Sequence, residues 1–368
     1  MGYFMKELSN QLVCEKRHGG IDLLKVLAML MVVMLHVNGH GGLLSGASLY
    51  SVHWFLINVI EFLCIGAVNI FALASGYVNY GRKVKVKNIL TLWLQVFFYS
   101  FFITLIFYFT NWQGKVSLLD ILKSAFPVAS ERYWFFSAYF LLFFTMPILN
   151  IVLDKLSKKQ ALLGIGIFLV LCTVIGYVYD AFNIEDGYSA VWLMVLYFIG
   201  AYVKKYGFSI SIKGKEIKPI LYLVFYFVCS LLSVACVVFR KEILNKPEGY
   251  TYTFILHFLS ALFIFLFFSK ANIKCSKLLL NLSKVSFSVY IITEQPFIRS
   301  ALFTGKYVGL LNYNPLITVL AILLIAVVMY LACFIIENLR LFLFKLIKVD
   351  KFTGFVQKKT DGFIEKLK

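Results

Sequence analysis

Long apolar runs separated by short polar stretches dominate the chain. They fall at 21–38, 54–80, 88–110, 133–153, 160–180, 188–203, 217–239, 250–269, 282–303 and 316–339. A helix needs roughly 20 predominantly apolar residues to cross a bilayer, and most of these runs meet that length. The pattern predicts an all-α polytopic membrane protein, with about ten transmembrane helices around a central cavity. Residues 1–20 are polar and show no small-residue cleavage site. The first apolar run is therefore expected to stay in the protein as a span, not to be removed as a signal peptide. The expected organisation is a cytoplasmic N-terminal segment at 1–20, a transmembrane domain at 21–339 and a basic amphipathic tail at 340–368.

Charge supports this division. The chain carries 36 Lys and Arg against 18 Asp and Glu, a net +18. In a soluble protein such a surplus points to nucleic acid. Here 61% of residues are hydrophobic and 15% charged, which excludes soluble, disulfide-stapled and disordered classes, and no nucleic-acid partner is expected. The surplus instead sorts by loop. The set 1–20, 81–87, 154–159, 204–216, 270–281 and 340–368 holds most basic loop residues. The alternate set holds only Lys115, Lys123, Arg132, Arg240, Lys241, Lys246 and Lys306. Basic residues accumulate in cytoplasmic loops, so both termini are expected in the cytoplasm. A missed span would invert every later loop and destroy the alternation. The tail mixes Phe342, Phe344, Phe352, Phe355 and Phe363 with lysines, the pattern of a helix lying on an anionic leaflet. Five of the seven cysteines (Cys64, Cys172, Cys229, Cys236 and Cys333) lie in apolar runs without metal-ligand spacing. They read as small buried hydrophobes, and no metal is expected.

An ionisable group inside a span costs roughly 2.5–3.5 kcal/mol on insertion scales and usually faces a cavity or a partner. The candidates singled out within the spans are Asp22, Lys25, His36, Glu61, His257, Glu294 and Arg299. Lys25 and His36 are eleven residues apart, close to three helical turns, so they share one face about 16 Å apart along the axis. Asp22 is spaced to pair with Lys25. A basic anchor and a histidine on one stripe suit a long substrate threaded along it; a snorkelling lysine and a histidine bonded to a neighbouring helix fit equally. Glu294 has no basic neighbour within a turn before it, and Arg299, five residues on, is poorly placed on a continuous helix. A histidine from another helix is a suitable partner, and the two would form a general base; a structural hydrogen bond is the alternative. Glu61 either lines the same cavity or pairs across a helix interface. His257 reads as a helix-contact residue, and His18, His40 and His53 receive no role. Arg82, Lys83, Lys85 and Lys87 form a basic loop, either a topology signal or a phosphate clamp for an anionic donor. Ala74-Ser75-Gly76 sets small residues where helices can approach closely. Trp134, at an expected outer interface, is either an aromatic-belt residue or a floor for a sugar ring.

Together these segments resemble the bacterial membrane acyltransferase-3 family. The resemblance runs from about residue 17 to 340. It rests on Ile21-Asp22 with Lys25 and His36, on Val68-Asn69-Ile70-Phe71 through Ser75-Gly76-Tyr77, and on Arg82 with Lys85. It continues in Tyr133-Trp134-Phe135 through Tyr139, Pro147, Leu149 and Asn150, and in Ser286-Phe287 through Tyr290, Glu294 and Pro296. It implies transfer of an acyl group, usually acetyl, from cytoplasmic acyl-CoA to a hydroxyl of a cell-surface polysaccharide or its lipid-linked precursor, in the bacterial cytoplasmic membrane. No permanently bound cofactor is implied; acyl-CoA is a substrate. His36 falls on the catalytic histidine, and Glu294 stands where related sequences carry an acidic residue. Lys25, Arg82 and Lys85 become donor-binding candidates. Asp22, Glu61, Asn69 and Tyr290 become cavity or orienting candidates, with Trp134 and Tyr139 on the acceptor side. Lys25 and Lys85 stand where many members have arginine, and Thr293 where many have histidine. A transporter or flippase, or a polymerase, of lipid-linked oligosaccharide remains the rival reading. The chain shows neither the repeats of the first nor a large outer loop for the second.

Overall fold

The computed structural model describes residues 17–111, 116–175, 182, 184–212, 214–242 and 250–366. Most of the N-terminal segment lies outside the described residues, as do Trp112, Lys115 and Lys246. The main helices are α1 (Gly19–Asn38), α2 (Val52–Cys64), α3 (Ala67–Asn79), α4 (Val86–Phe109), α5 (Leu118–Ala125), α6 (Trp134–Lys155) and α7 (Lys158–Val170). They continue with α8 (Ala190–Tyr206), α9 (Pro219–Glu242), α10 (Ile255–Lys270), α11 (Lys277–Glu294), α12 (Pro296–Leu302), α13 (Pro315–Leu346) and α14 (Val349–Lys366). One two-residue antiparallel ribbon, Ser211–Ile212 with Lys215–Glu216, interrupts them. The protein is a helical, polytopic membrane protein. Among the described residues, seven segments are long and apolar enough to cross a membrane, counting α2 and α3 as one.

Helix occupies part or all of each expected span, with two revisions. The run at 54–80 is two helices, broken at Ile65-Gly66. At the break, a side chain on Gly66 would crowd Ala261 of α10. The run at 282–303 is also two helices, because Gln295 leaves the helical conformation before Pro296. Its side-chain oxygen then accepts hydrogen bonds from the amides of Phe297 and Ile298 and starts α12 anew.

Helix α1 sits at the centre, packed against α2, α3, α10, α11 and α13. That position explains why its polar residues matter: few of them meet lipid. Helices α3 and α8 approach most closely where small residues meet. A Cβ at Gly76 would lie 1.9 Å from the carbonyl oxygen of Tyr197, and one at Gly200 2.0 Å from that of Leu73. The close approach expected of Ala74-Ser75-Gly76 is therefore present.

Cross-helix bonds tie the basic loops into one end of the bundle. Tyr80 donates to Asp154, Lys205 pairs with Asp154, and His18 contacts the Ser269 carbonyl. At this basic end α14 folds against α4, where the Lys87 amide donates to Gln357 and its ammonium pairs with Asp350. Helix α13 runs to Leu346, beyond the expected end at 339. It carries a buried ion pair that the list of intramembrane charges lacks. Arg340 donates to both oxygens of Glu337, which also accepts from Gln95 and Tyr99 of α4. Among the described residues six cysteines are present, and all are free thiols.

Candidate active site

His36 lies near the C-terminal end of α1, and Glu294 is the last residue of α11. Packing of these helices brings His36 Nε2 to 3.1 Å from Glu294 Oε2. The other carboxylate oxygen, Oε1, lies 2.5 Å from Arg299 Nη1. A continuous helix would leave Arg299 out of reach. The break at Gln295-Pro296 swings α12 round and delivers it. His40, one turn beyond His36, approaches Glu294 Oε2 at 3.8 Å, and the two imidazole rings are 5.3 Å apart. His36 Nε2 faces the carboxylate at ion-pair distance; in the tautomer that points Nε2–H at it, the lone pair rests on Nδ1, a buried atom with no hydrogen-bond partner among the described residues. A neutral imidazole has one donor and one acceptor nitrogen, so in that tautomer Nδ1 is the acceptor.

Three cavities follow the face of α1. The first, about 70 Å³, is lined by His36 and Glu294 together with Met29, Val32, Phe71, Trp134, Phe135, Tyr252, Phe287 and Tyr290. The second, about 270 Å³, holds Lys25 with Ser75, Asn79, Tyr139, Ser283 and Ser286. Phe71, Phe135 and Phe287 belong to both walls and form the neck between them. The third, about 120 Å³, lies at the basic end and is lined by Arg17, His18, Asp22, Tyr77, Arg82 and Lys204; it shares Val78 with the second. Lys25 and His36 thus face successive chambers of one row.

The remaining candidates divide by position. Asp22 pairs with Arg17, not Lys25, and accepts a further bond from Ser283. Lys25 makes no hydrogen bond or ion pair among the described residues and faces the middle cavity. Lys85 is exposed before α4 and lines none of the three cavities, whereas Arg82 lines the third. Glu61 is buried behind the site and accepts from Asn38. Asn69 lines none of the cavities either. It donates to the Tyr252 carbonyl and accepts from Trp192, which fixes the backbone of a residue in the first wall. Tyr290 stands in that wall, its hydroxyl accepting from the Phe135 amide. Tyr139, expected on the acceptor side, instead lines the middle cavity and bonds Ser75. His257 bonds the Thr251 carbonyl and lies stacked against Phe62, a helix-contact residue. Trp134 belongs to an aromatic trio with Tyr188 and Tyr252, with ring centres 4.5–5.8 Å apart.

Nothing in the linear sequence marks Arg17, Lys204, Tyr188 or Tyr252 as neighbours of these cavities. Only the positive-loop pattern groups the first two with Arg82. Comparison with known proteins adds one finding: the family described as "Acyltransferase domain", acyltransferase-3, matches residues 18–338. No curated protein and no solved structure matches the chain.

Proposed function

The chain belongs to the acyltransferase-3 family, and from that premise we propose that it moves a short acyl group, acetyl in the first instance, from acyl-CoA to a hydroxyl of a cell-surface glycan or its lipid-linked precursor. The row of cavities from Arg17 and Arg82 to His36 and Glu294 carries this reading. A coenzyme A donor has an anionic nucleotide at one end and a thioester at the other, joined by a long slender arm. Three cations, Arg17, Arg82 and Lys204, surround the outermost cavity and suit the phosphates. The middle cavity takes the arm past Lys25. The small inner chamber takes the thioester.

His36 Nδ1 then removes the proton from the acceptor hydroxyl as its oxygen attacks the thioester carbon. Glu294 holds the ring and stabilises the imidazolium that forms. Collapse of the tetrahedral intermediate breaks the carbon–sulfur bond, and the same nitrogen returns its proton to the departing thiolate. A general base of this kind contributes typically about 10²–10⁴-fold. The trio of Trp134, Tyr188 and Tyr252 beside the chamber favours a sugar acceptor, because aromatic faces pack against apolar ring faces.

Membrane vesicles given labelled acetyl-CoA test the reading. The wild-type protein should pass label to endogenous glycan, and His36→Ala should not, at equal abundance in the membrane. Undiminished labelling by the alanine variant would reject His36 as the base; absence of labelling by the wild type would reject the reaction in that system.

A further inference from the structure

His36 and His40 stand four residues apart, one turn along, with their rings turned towards each other. Two histidines four residues apart are a known way to chelate a metal ion, and here the second stands in the turn just past the end of α1. Here Glu294 supplies a third donor. One donor atom from each of the three residues lies within 4.8 Å of the others, and the two Nε2 atoms stand 3.1 Å and 3.8 Å from Glu294 Oε2. Around a tetrahedral zinc ion, with bonds of about 2.0–2.1 Å, donor atoms are about 3.3 Å apart. Small side-chain rotations therefore suffice.

We propose that His36, His40 and Glu294 form a binding site for a divalent transition-metal ion of the Zn²⁺ type, and that its occupation switches the transfer reaction off. Two imidazoles and a carboxylate are the donor set zinc favours, with a fourth position left for water. Glu294 is already divided between two tasks. Arg299 holds Oε1, so Oε2 is oriented towards the histidines, and such outer partners fix the geometry of metal ligands. The site also has an entrance: the side chains of His36 and Glu294 are 11% and 12% exposed, whereas that of His40 is 41% exposed. It opens at the end of the bundle opposite the basic loops.

The chemistry of inhibition follows from the tautomer. A metal bound through His36 Nε2 forces the imidazole proton onto Nδ1, the nitrogen that must accept the proton of the acceptor hydroxyl. The base is then occupied at one nitrogen and protonated at the other. No bond to substrate is made or broken in this step; one proton moves between nitrogens through solvent, and the His36–Glu294 contact is exchanged for coordination. The inhibitory half of the proposal rests on the acyltransferase reading, and the metal site itself does not.

The test uses the full-length protein without a histidine tag, in nanodiscs. Co²⁺ serves as a spectroscopic probe, and one equivalent should give the visible absorption of a four-coordinate ion, displaced by Zn²⁺. His40→Ala removes a ligand, which costs at least as much as losing an outer partner, roughly 10–100-fold in affinity. In the vesicle assay Zn²⁺ should suppress transfer, EDTA should restore it, and His40→Ala should transfer label yet need at least about tenfold more Zn²⁺ for the same suppression. Absence of the absorption, or its persistence unchanged in His40→Ala, overturns the site. Transfer that requires Zn²⁺ overturns the inhibitory role. A normal Co²⁺ titration in a protein without transfer activity leaves the site standing and removes the acyltransferase reading instead.

Discussion

Replacement of Glu294 by glutamine isolates the charge of the residue from its shape. The amide keeps an oxygen that accepts from His36 Nε2 and keeps the packing at the end of α11. It loses the negative charge that faces the imidazolium at 3.1 Å. Two unit charges at that distance interact by about 5 kcal/mol at an effective dielectric of about 20. Arg299 on the opposite oxygen is common to both proteins, so its repulsion of the imidazolium cancels in the comparison; screening by solvent and salt leaves about 3–5 kcal/mol. At 1.36 kcal/mol per decade, that is a loss of roughly 10²–10⁴ in rate. The assay is single-turnover transfer of labelled acetyl from acetyl-CoA in vesicles, with donor in excess. Because both residues act on one proton, His36→Ala combined with Glu294→Gln should be no slower than His36→Ala alone. A Glu294→Gln protein that works within a few-fold of wild type would refute the charge argument. Multiplicative losses in the double variant would refute the pairing.

Other consequences are open to measurement. Arg17→Ala and Arg82→Ala should each raise the KM for acetyl-CoA and leave the KM for acetyl-pantetheine, which lacks the nucleotide phosphates, unchanged; equal effects on both donors would remove these arginines from phosphate binding. Gly76→Val should sharply reduce folded protein in the membrane, since its side chain meets the Tyr197 carbonyl, while Gly164→Ala, which points into open space, should not; equal abundance of the two variants would contradict the close crossing of α3 and α8. Arg340→Met leaves Glu337 buried without its cation, a change that costs about 3–5 kcal/mol in comparable sites. A melting temperature unchanged in Arg340→Met would argue against a charged Glu337.

The spans were legible because burial in lipid imposes a run of apolar residues that no packing detail can disguise. The breaks were not. Ile65-Gly66 is as apolar as its surroundings, and only the fold shows Gly66 lying against Ala261 of α10. Lys25 and His36 could be matched by period alone, since α1 is unbroken between them. The pairing of His36 with Glu294 is a tertiary contact, which buried-charge reasoning anticipated as a type. Helical spacing misplaces Arg299, because the axis turns at Gln295-Pro296. Sequence assigns His40 no role because it follows the apolar run; the turn after Asn38 brings it back beside His36. Glu337 and Arg340 straddle an expected boundary at 339, so a pair three residues apart was divided between a span and a tail.

The narrowing formed by Phe71, Phe135 and Phe287 has an electrical consequence. A passage that follows a helix through the thickness of a bilayer threatens the ion gradients the cell maintains. Apolar constrictions expel water and so block conduction, and the three phenyl rings shared by two chambers are expected to act as such a plug. Vesicles bearing the triple alanine variant should dissipate an imposed proton gradient faster than those with the native protein; an equal rate would mean that the insulation lies elsewhere.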